Sequence, residues 1–192
     1  TKCFEDYMFR IRDILIVILF IPFALFIVCV CAIFIKVESS GPIIFRSERL
    51  GINKRIFSIY KLRTMTSDAP LVPTSNYLVT SYITRVGGFL RRYSLDELPQ
   101  LLNVLKGDMS IIGPRPCLQS EKELVSMRQE LGIFSVLPGL TGLAQVKGGD
   151  YLTVKNKLRY EYFYSIHRCL PLDMEIALLT LAVITRVNKF RK

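Results

Sequence analysis

The residues best suited to chemistry lie close together, between Ile83 and Pro116, in the stretch ITRVGGFLRRYSLDELPQLLNVLKGDMSIIGPRP. The pair Arg91-Arg92 comes first, the acidic pair Asp96-Glu97 next, then a Leu-rich run, then Gly113-Pro114-Arg115-Pro116. This order sets carboxylates among phosphate-binding cations. An ionised Asp can serve as a nucleophile or as a Mg²⁺ ligand. An Arg fixed between two prolines can hold a phosphate bidentately. Upstream, Lys61 and Arg63 alternate to one face of an extended strand, which would supply two more phosphate-facing cations. The same residues also have plainer readings. Ser94-x-x-Glu97 fits a capping box, with Ser94 capping and Glu97 reaching back. Asp96 near a helix start complements the macrodipole, which also helps keep it ionised. Pro-Arg-Pro turns are often only structural, and a basic strand edge is often only solvated. Adjacent helical residues point about 100° apart, so Asp96 and Glu97 need not share one job.

The elements that must position these groups follow from local pattern. Pro42–Phe45 and Ile56–Tyr60 read as strands, with Gly51–Lys54 as the turn between them. Asp68–Tyr82, with Pro70, Pro73, Ser75 and Asn76, reads as a loop. Leu98, Leu101, Leu102 and Leu105 follow the i, i+3, i+4, i+7 rule, and Gly107 stops that helix. Glu121–Leu131, Lys155–Ser165 and Met174–Val187 read as further helices. Pro138–Val146, PGLTGLAQV, is a glycine-punctuated loop without the spacing of a nucleotide-phosphate loop, and it reads as a structural turn. The expected class is mostly α with a small extended element.

Ahead of this region, Ile14–Ile35 is a 22-residue run without a charge. As one helix it would extend ~33 Å, enough for a ~30 Å bilayer core. The following Lys36-Val37-Glu38 and the missing cleavage pattern favour an anchor over a signal peptide. Pro22 removes one backbone bond and favours a kink or break. Lys2, Arg10 and Arg12 precede the run, and Lys36, Arg46 and Arg49 follow it, so positive charge flanks both ends. A hairpin entering and leaving one leaflet satisfies both flanks. A spanning helix satisfies one, and Pro is tolerated in spans, so the residues alone leave both open.

The net charge is +10, compatible with nucleic acid, an anionic membrane or a phosphate-rich substrate. Aromatics are not interleaved with the cations as a stacking platform would require, which disfavours nucleic acid. The single His167 argues against a His triad or His-ligated metal, and Cys3, Cys29, Cys31, Cys117 and Cys169 form no metal-type spacing and suggest reduced thiols. The chain opens on Thr1, as a piece of a longer protein would.

With these motifs together, the chain resembles the bacterial sugar transferase family, the monotopic polyprenol-phosphate phosphoglycosyl transferases. FRSERLGINKRIFSIYKLRTM (Phe45–Met65), the central stretch Ile83–Pro116, PGLTGLAQV and Leu158–Ile184 carry the resemblance over most of the chain. It implies a re-entrant membrane helix broken at Pro22 within residues 1–38. It also implies a compact cytoplasmic catalytic domain over 39–192 with interfacial amphipathic helices, at the cytoplasmic face of the bacterial inner membrane. It implies transfer of a phosphosugar from a UDP-sugar to a polyprenol phosphate, through a covalent aspartyl-phosphosugar on Asp96, with UMP released. Glu97 supports the site, Mg²⁺ sits beside the dyad with Asp96 as ligand, and Lys61, Arg91 and Arg115 are the basic site residues, with Arg63 beside Lys61. Asp173 matches an acidic position tied to activity, and Gln145 lies in the later signature. Two positions depart from the family pattern: Ile21 stands where a Ser precedes the proline, and Leu137 where a basic residue precedes Pro138-Gly139. A homodimer is compatible with the pattern. The alternative is a non-catalytic homologue that uses its basic face to bind lipid or a partner.

Overall fold

The structure is a computed structural model that describes residues 2–69 and 81–190. It is mostly helical, with two small sheets. Most of the expected loop at Asp68–Tyr82 lies outside the described residues.

Helix α1, Lys2–Glu38, holds the apolar run. Its buried positions are Phe9, Asp13, Val17, Ala24, Cys31 and Ile35, which repeat at four- and seven-residue steps and so form one stripe. Val17, with Ile21 beside it, joins a core of Phe57, Ile59, Val104 and Met109. Cys31 and Ile35 join Leu62 and Leu90. The rest of the helix exposes large apolar side chains, including Leu15, Ile18, Leu19, Phe20, Phe23, Phe26, Ile33 and Phe34. The expected interruption at Pro22 is not seen: the helix is continuous through it. Pro22 cannot donate to the carbonyl of Ile18, but both residues lie on the exposed face. Packing at Val17, Ile21 and Ala24 holds the opposite side of the helix.

Polar side chains pin both halves of α1. Arg10 donates to the carbonyls of Val104 and Leu105, the latter at 2.6 Å. Glu38 accepts from the backbone amides of Arg85 and Val86 at 2.7 and 2.9 Å. These two contacts cap the end of α3, Leu101–Lys106, and the start of α2, Arg85–Arg92.

Strands β1, Ile44–Leu50, and β2, Ile56–Leu62, form an antiparallel hairpin in register from Ile44↔Leu62 to Leu50↔Ile56. The predicted turn sits between them, with Asn53 at φ 50° and Lys54 at φ 61°. The first strand starts later and runs further than Pro42–Phe45, through the polar Arg46–Arg49, because pairing with β2 defines it. The free edge of β2 meets Asn103, fully buried on α3, whose side chain donates to Ser58 O at 2.7 Å and accepts from Tyr60 N at 3.1 Å. The predicted Leu-rich helix is two pieces, a 3₁₀ turn at Leu95–Gln100 followed by α3, with Gly107 (φ 88°) closing it. Pro99 lies inside that turn and its ring nitrogen has no proton to donate.

The second sheet pairs β3, Ser110–Ile112, in parallel with β4, Gly139–Thr141. Helices α4, Lys122–Glu130, α5, Leu143–Val146, α6, Val154–His167, and α7, Leu170–Phe190, complete the chain. The glycines of PGLTGLAQV are packing requirements. A Cβ on Gly139 would fall on the Gly113 amide, and one on Gly142 would fall on the Gly113 carbonyl. This close approach lets Gly113 N donate to Thr141 O at 2.8 Å and Gly139 N to Pro114 O at 2.9 Å.

Because backbone meets backbone there, a methyl group cannot be absorbed by rotating a side chain. Gly142→Ala is therefore expected to cost about 1–3 kcal/mol, read as a lowered denaturation midpoint in detergent. An unchanged midpoint would show that β3 and β4 part freely.

Candidate active site

The end of α2 and the 3₁₀ turn carry the acidic pair. Tyr93 caps α2, and Ser94 adopts φ 55°, ψ 24°. The capping box does not form: Ser94 makes no side-chain cap bond, and Glu97 does not reach back. The left-handed Ser94 already donates its amide to Arg91 O at 3.3 Å. Glu97 is drawn to stronger, charged donors instead. Its Oε1 meets Lys61 Nζ at 2.6 Å and Arg115 Nη2 at 3.3 Å. Burial works to raise the Glu97 pKa, but Arg115 and Lys61 together outweigh it and hold the carboxyl below its ordinary value.

Asp96, the neighbouring acid, is treated differently. It is buried, and among the described residues it forms no ion pair. Its carboxyl is raised above the ordinary range, first by burial and also by the Glu97 charge, against the opposing fields of Lys61 and Arg91. Arg91 is held by a 2.8 Å bond from Nε to Thr64 Oγ1, which aims a fixed cation near Asp96 without pairing to it. Adjacent in sequence, the two acids have separate surroundings: Glu97 is bound by cations, and Asp96 lies in the field of Lys61 and Arg91 with its own backbone amide as a donor and, among the described residues, no ion pair.

Arg115 rides on the Gly113–Pro116 turn. Its carbonyl accepts from Arg128 Nη2 at 2.9 Å, and Arg128 is itself paired with Glu161 at 2.6 and 2.9 Å. Both partners of that pair are almost fully buried. Gly139 N holds the next carbonyl back, that of Pro114. The turn is therefore fixed from two sides.

A fourth cation was not singled out from the sequence. In the hairpin register, Phe45↔Lys61, Ser47↔Ile59 and Arg49↔Phe57 share one face, so Arg49 faces the same side as Lys61. Leu50 N donates to Cys117 O at 3.0 Å, which lays the end of β1 beside the Arg115 turn. Strand alternation counted back from Lys61 could have found it once the register was known.

The other expected site residues lie apart. Arg63 is buried just past the end of β2, where strand alternation no longer applies. It donates to the carbonyls of Ser40 and Ser39, the latter at 2.7 Å, and ties the segment after α1 to the hairpin. The structure does not bring it to Glu97. Asp173 takes Arg12 and the Tyr164 hydroxyl, the latter at 2.9 Å, while neighbouring Asp13 accepts from Ser110 Oγ at 2.5 Å. That cluster joins α1 to α6, α7 and β3. Gln145 donates to Leu140 O at 3.1 Å, and its Oε1 is buried without a partner.

The donor set fits a hard cation within limits. Among the described residues no three acidic, His or Cys side chains converge. Glu97 is engaged, and Asp96 offers one carboxylate. Mg²⁺ is commonly bound through one or two carboxylates together with substrate phosphates, a pattern this site matches.

Residues 4–187 match the family model described as bacterial sugar transferase. The chain is 44% identical over 151 residues to a UDP-glucose:undecaprenyl-phosphate glucose-1-phosphate transferase of Caulobacter vibrioides, covering 74% of this chain and 55% of that protein. It is 35% identical over 168 residues to the uncharacterized sugar transferase EpsL of Bacillus subtilis, covering 82% of this chain and 80% of EpsL. It is 35% identical over 187 residues to a UDP-N-acetylgalactosamine-undecaprenyl-phosphate N-acetylgalactosaminephosphotransferase of Aeromonas hydrophila, covering 91% and 43%. The chain thus spans about half the length of the Caulobacter relative.

The raised Asp96 carboxyl has a sign that can be tested. A carboxyl raised by folding contributes stability below the unfolded pKa of ~3.9 and loses it as pH rises through the folded value. Asp96→Asn removes the desolvated charge and is expected to raise the melting temperature at pH 7. The gain should shrink as pH falls toward ~4 and be absent below it. A destabilised variant at pH 7 would mean the ionised carboxylate holds the fold together.

Proposed function

We propose, from the premise that the chain belongs to the bacterial sugar transferase family, that it transfers a phosphosugar from a UDP-sugar to a polyprenol phosphate. The observation that carries this reading is the buried Asp96, without an ion pair among the described residues but in the field of Lys61 and Arg91, beside a Glu97 already engaged by two cations. An Asp96 oxygen attacks the β-phosphorus of the donor. The Asp96 O–P bond forms, the bridging P–O bond breaks, and its electron pair leaves on UMP. A polyprenol phosphate oxygen then attacks the same phosphorus, the Asp96 O–P bond breaks, and a polyprenyl diphosphate-sugar leaves. Lys61, Arg91 and Arg115 offset the repulsion between the carboxylate and the diphosphate. Glu97 keeps Lys61 and Arg115 in place. Mg²⁺, held by Asp96 and the donor phosphates, would supply further charge neutralisation. The relatives' names specify glucose in one case and N-acetylgalactosamine in another, so the donor class is a UDP-hexose.

The chain acts from one face of the membrane in this reading, the cytoplasmic one, with residues 1–38 as anchor and 39–192 as catalytic domain. The stripe from Phe9 to Ile35 lies against the polar domain over roughly 39 Å, longer than a ~30 Å hydrocarbon core. A helix held that way cannot stand across a bilayer without drawing the domain in with it. Its exposed apolar side, with Leu170, Met174, Leu178 and Leu181 along one face of α7, suits a shallow seat at the interface. The +10 charge adds attraction to anionic headgroups.

Two measurements test this. Asp96→Asn should reduce UMP release from a UDP-sugar by on the order of 10³-fold or more and abolish a phosphosugar adduct detectable by intact mass. Near-normal release would remove Asp96 from its role. For the membrane seat, Tyr7→Cys and Val37→Cys, introduced singly after replacing the native cysteines, should both react with an impermeant maleimide in inside-out vesicles. Both should be protected in right-side-out vesicles. Labelling at opposite faces would establish a span instead.

A further inference from the structure

Arg49 is half-buried near the end of β1. Among the described residues no carboxylate lies within ion-pair distance of it, and its Nε is buried with no hydrogen-bond partner. A structural Arg normally repays its burial with a carboxylate or backbone carbonyls, as Arg63 and Arg128 do here. Arg49 instead faces the site beside another cation. The Leu50–Cys117 backbone bond sets its strand against the Arg115 turn. Burial first, and then the Arg115 charge, push the Arg49 pKa down, while Glu121 and Glu97 oppose.

Arg91 and Lys61 act on Asp96, Glu97 bridges Lys61 and Arg115, and Arg49 feels the charges of Arg115 and Glu97.

We infer that Arg49, with Arg115, forms an anion subsite where the end of β1 meets the Arg115 turn, and that it takes the α-phosphate of the nucleotide, the phosphate that departs as UMP. The inference rests on the transferase reading. In-line displacement places the leaving group opposite the attacking oxygen. When Asp96 attacks the β-phosphorus and the bridging bond breaks, the electron pair and one unit of negative charge settle on the α-phosphate. Two guanidinium groups preset at that position receive the charge without reorganising. A planar fork also suits phosphate better than an ammonium does. The subsite carries positive charge from the strand and from the turn, so it depends on the two being held together. The Leu50–Cys117 bond does this.

The test uses the full chain in detergent or nanodiscs, with Arg49→Gln and Arg49→Lys beside the parent. UMP and UDP are titrated directly by calorimetry, and UMP release from a UDP-sugar is followed with and without undecaprenyl phosphate. Arg49→Gln should weaken UMP binding by about tenfold and slow the acceptor-free release by a similar factor. The KM for undecaprenyl phosphate should be unchanged. Arg49→Lys should recover part of the loss, which also covers the case in which the Gln variant folds poorly. Unchanged UMP affinity with a raised KM for undecaprenyl phosphate would assign the subsite to the lipid phosphate and overturn the inference. Unchanged values for both would leave Arg49 without an anion-binding role, and also overturn it. If the parent bound UMP but released none from any UDP-sugar, the transferase reading would fail, and the calorimetric comparison would still decide whether Arg49 binds phosphate.

Discussion

The carboxylate of Glu97 joins three parts of the chain. Lys61 comes from the hairpin, Arg115 from the glycine–proline turn, and Glu97 from the 3₁₀ turn between α2 and α3. Ion pairs this accessible contribute little to stability, and desolvation offsets part of what they give. Their value lies in geometry. With Glu97 engaged, Lys61 and Arg115 are held at the Asp96–Glu97 turn. Asp96 is left as the acid of the pair without an ion pair among the described residues.

Helix α1 serves that arrangement directly. Arg10 caps α3 and Glu38 caps α2, so the long apolar helix also pins the two helices on either side of the Asp96–Glu97 turn. Arg12 and Asp13 add contacts to Asp173 and Ser110. Asp173 thereby helps place α1, and neither Arg12 nor Tyr164, its partners, is a group of the Asp96–Glu97 site. Anchor and catalytic domain are one packed body: the buried stripe of α1 belongs to the same cores as the hairpin and α3. The placement of α1 and that of the Asp96–Glu97 turn are therefore coupled.

The rigid backing of Arg115 has a different origin. Gly113, Gly139 and Gly142 allow the β3 and β4 backbones to touch, and the buried Arg128–Glu161 pair holds the Arg115 carbonyl. Both devices sit behind the turn. They hold the backbone of the turn, while the guanidinium meets Glu97.

Much of this was legible in the residues themselves. The strand pair and its turn, the helices from Glu121 onward, the apolar anchor and the Arg–Asp-Glu–Arg order are patterns complete within a few residues. Alternation, period and breaker residues report them. Three points were not legible. The capping box was locally sound, but Ser94 went left-handed and Glu97 found charged donors. The break at Pro22 was locally reasonable, but packing on the far side carried the helix through. Arg63 and Arg49 traded expectations: the first turned to backbone carbonyls past the strand end, and the second turned toward the site. Each outcome depends on partners distant in sequence; Lys61 lies 36 residues before Glu97, and Arg115 lies 18 after it. By itself, the sequence determined which groups could do chemistry and which elements would carry them. Only the tertiary structure decided which acid is engaged and which is open, because a side chain's charge state and partners are set by neighbours that the fold, not the local chain, brings within a few ångströms.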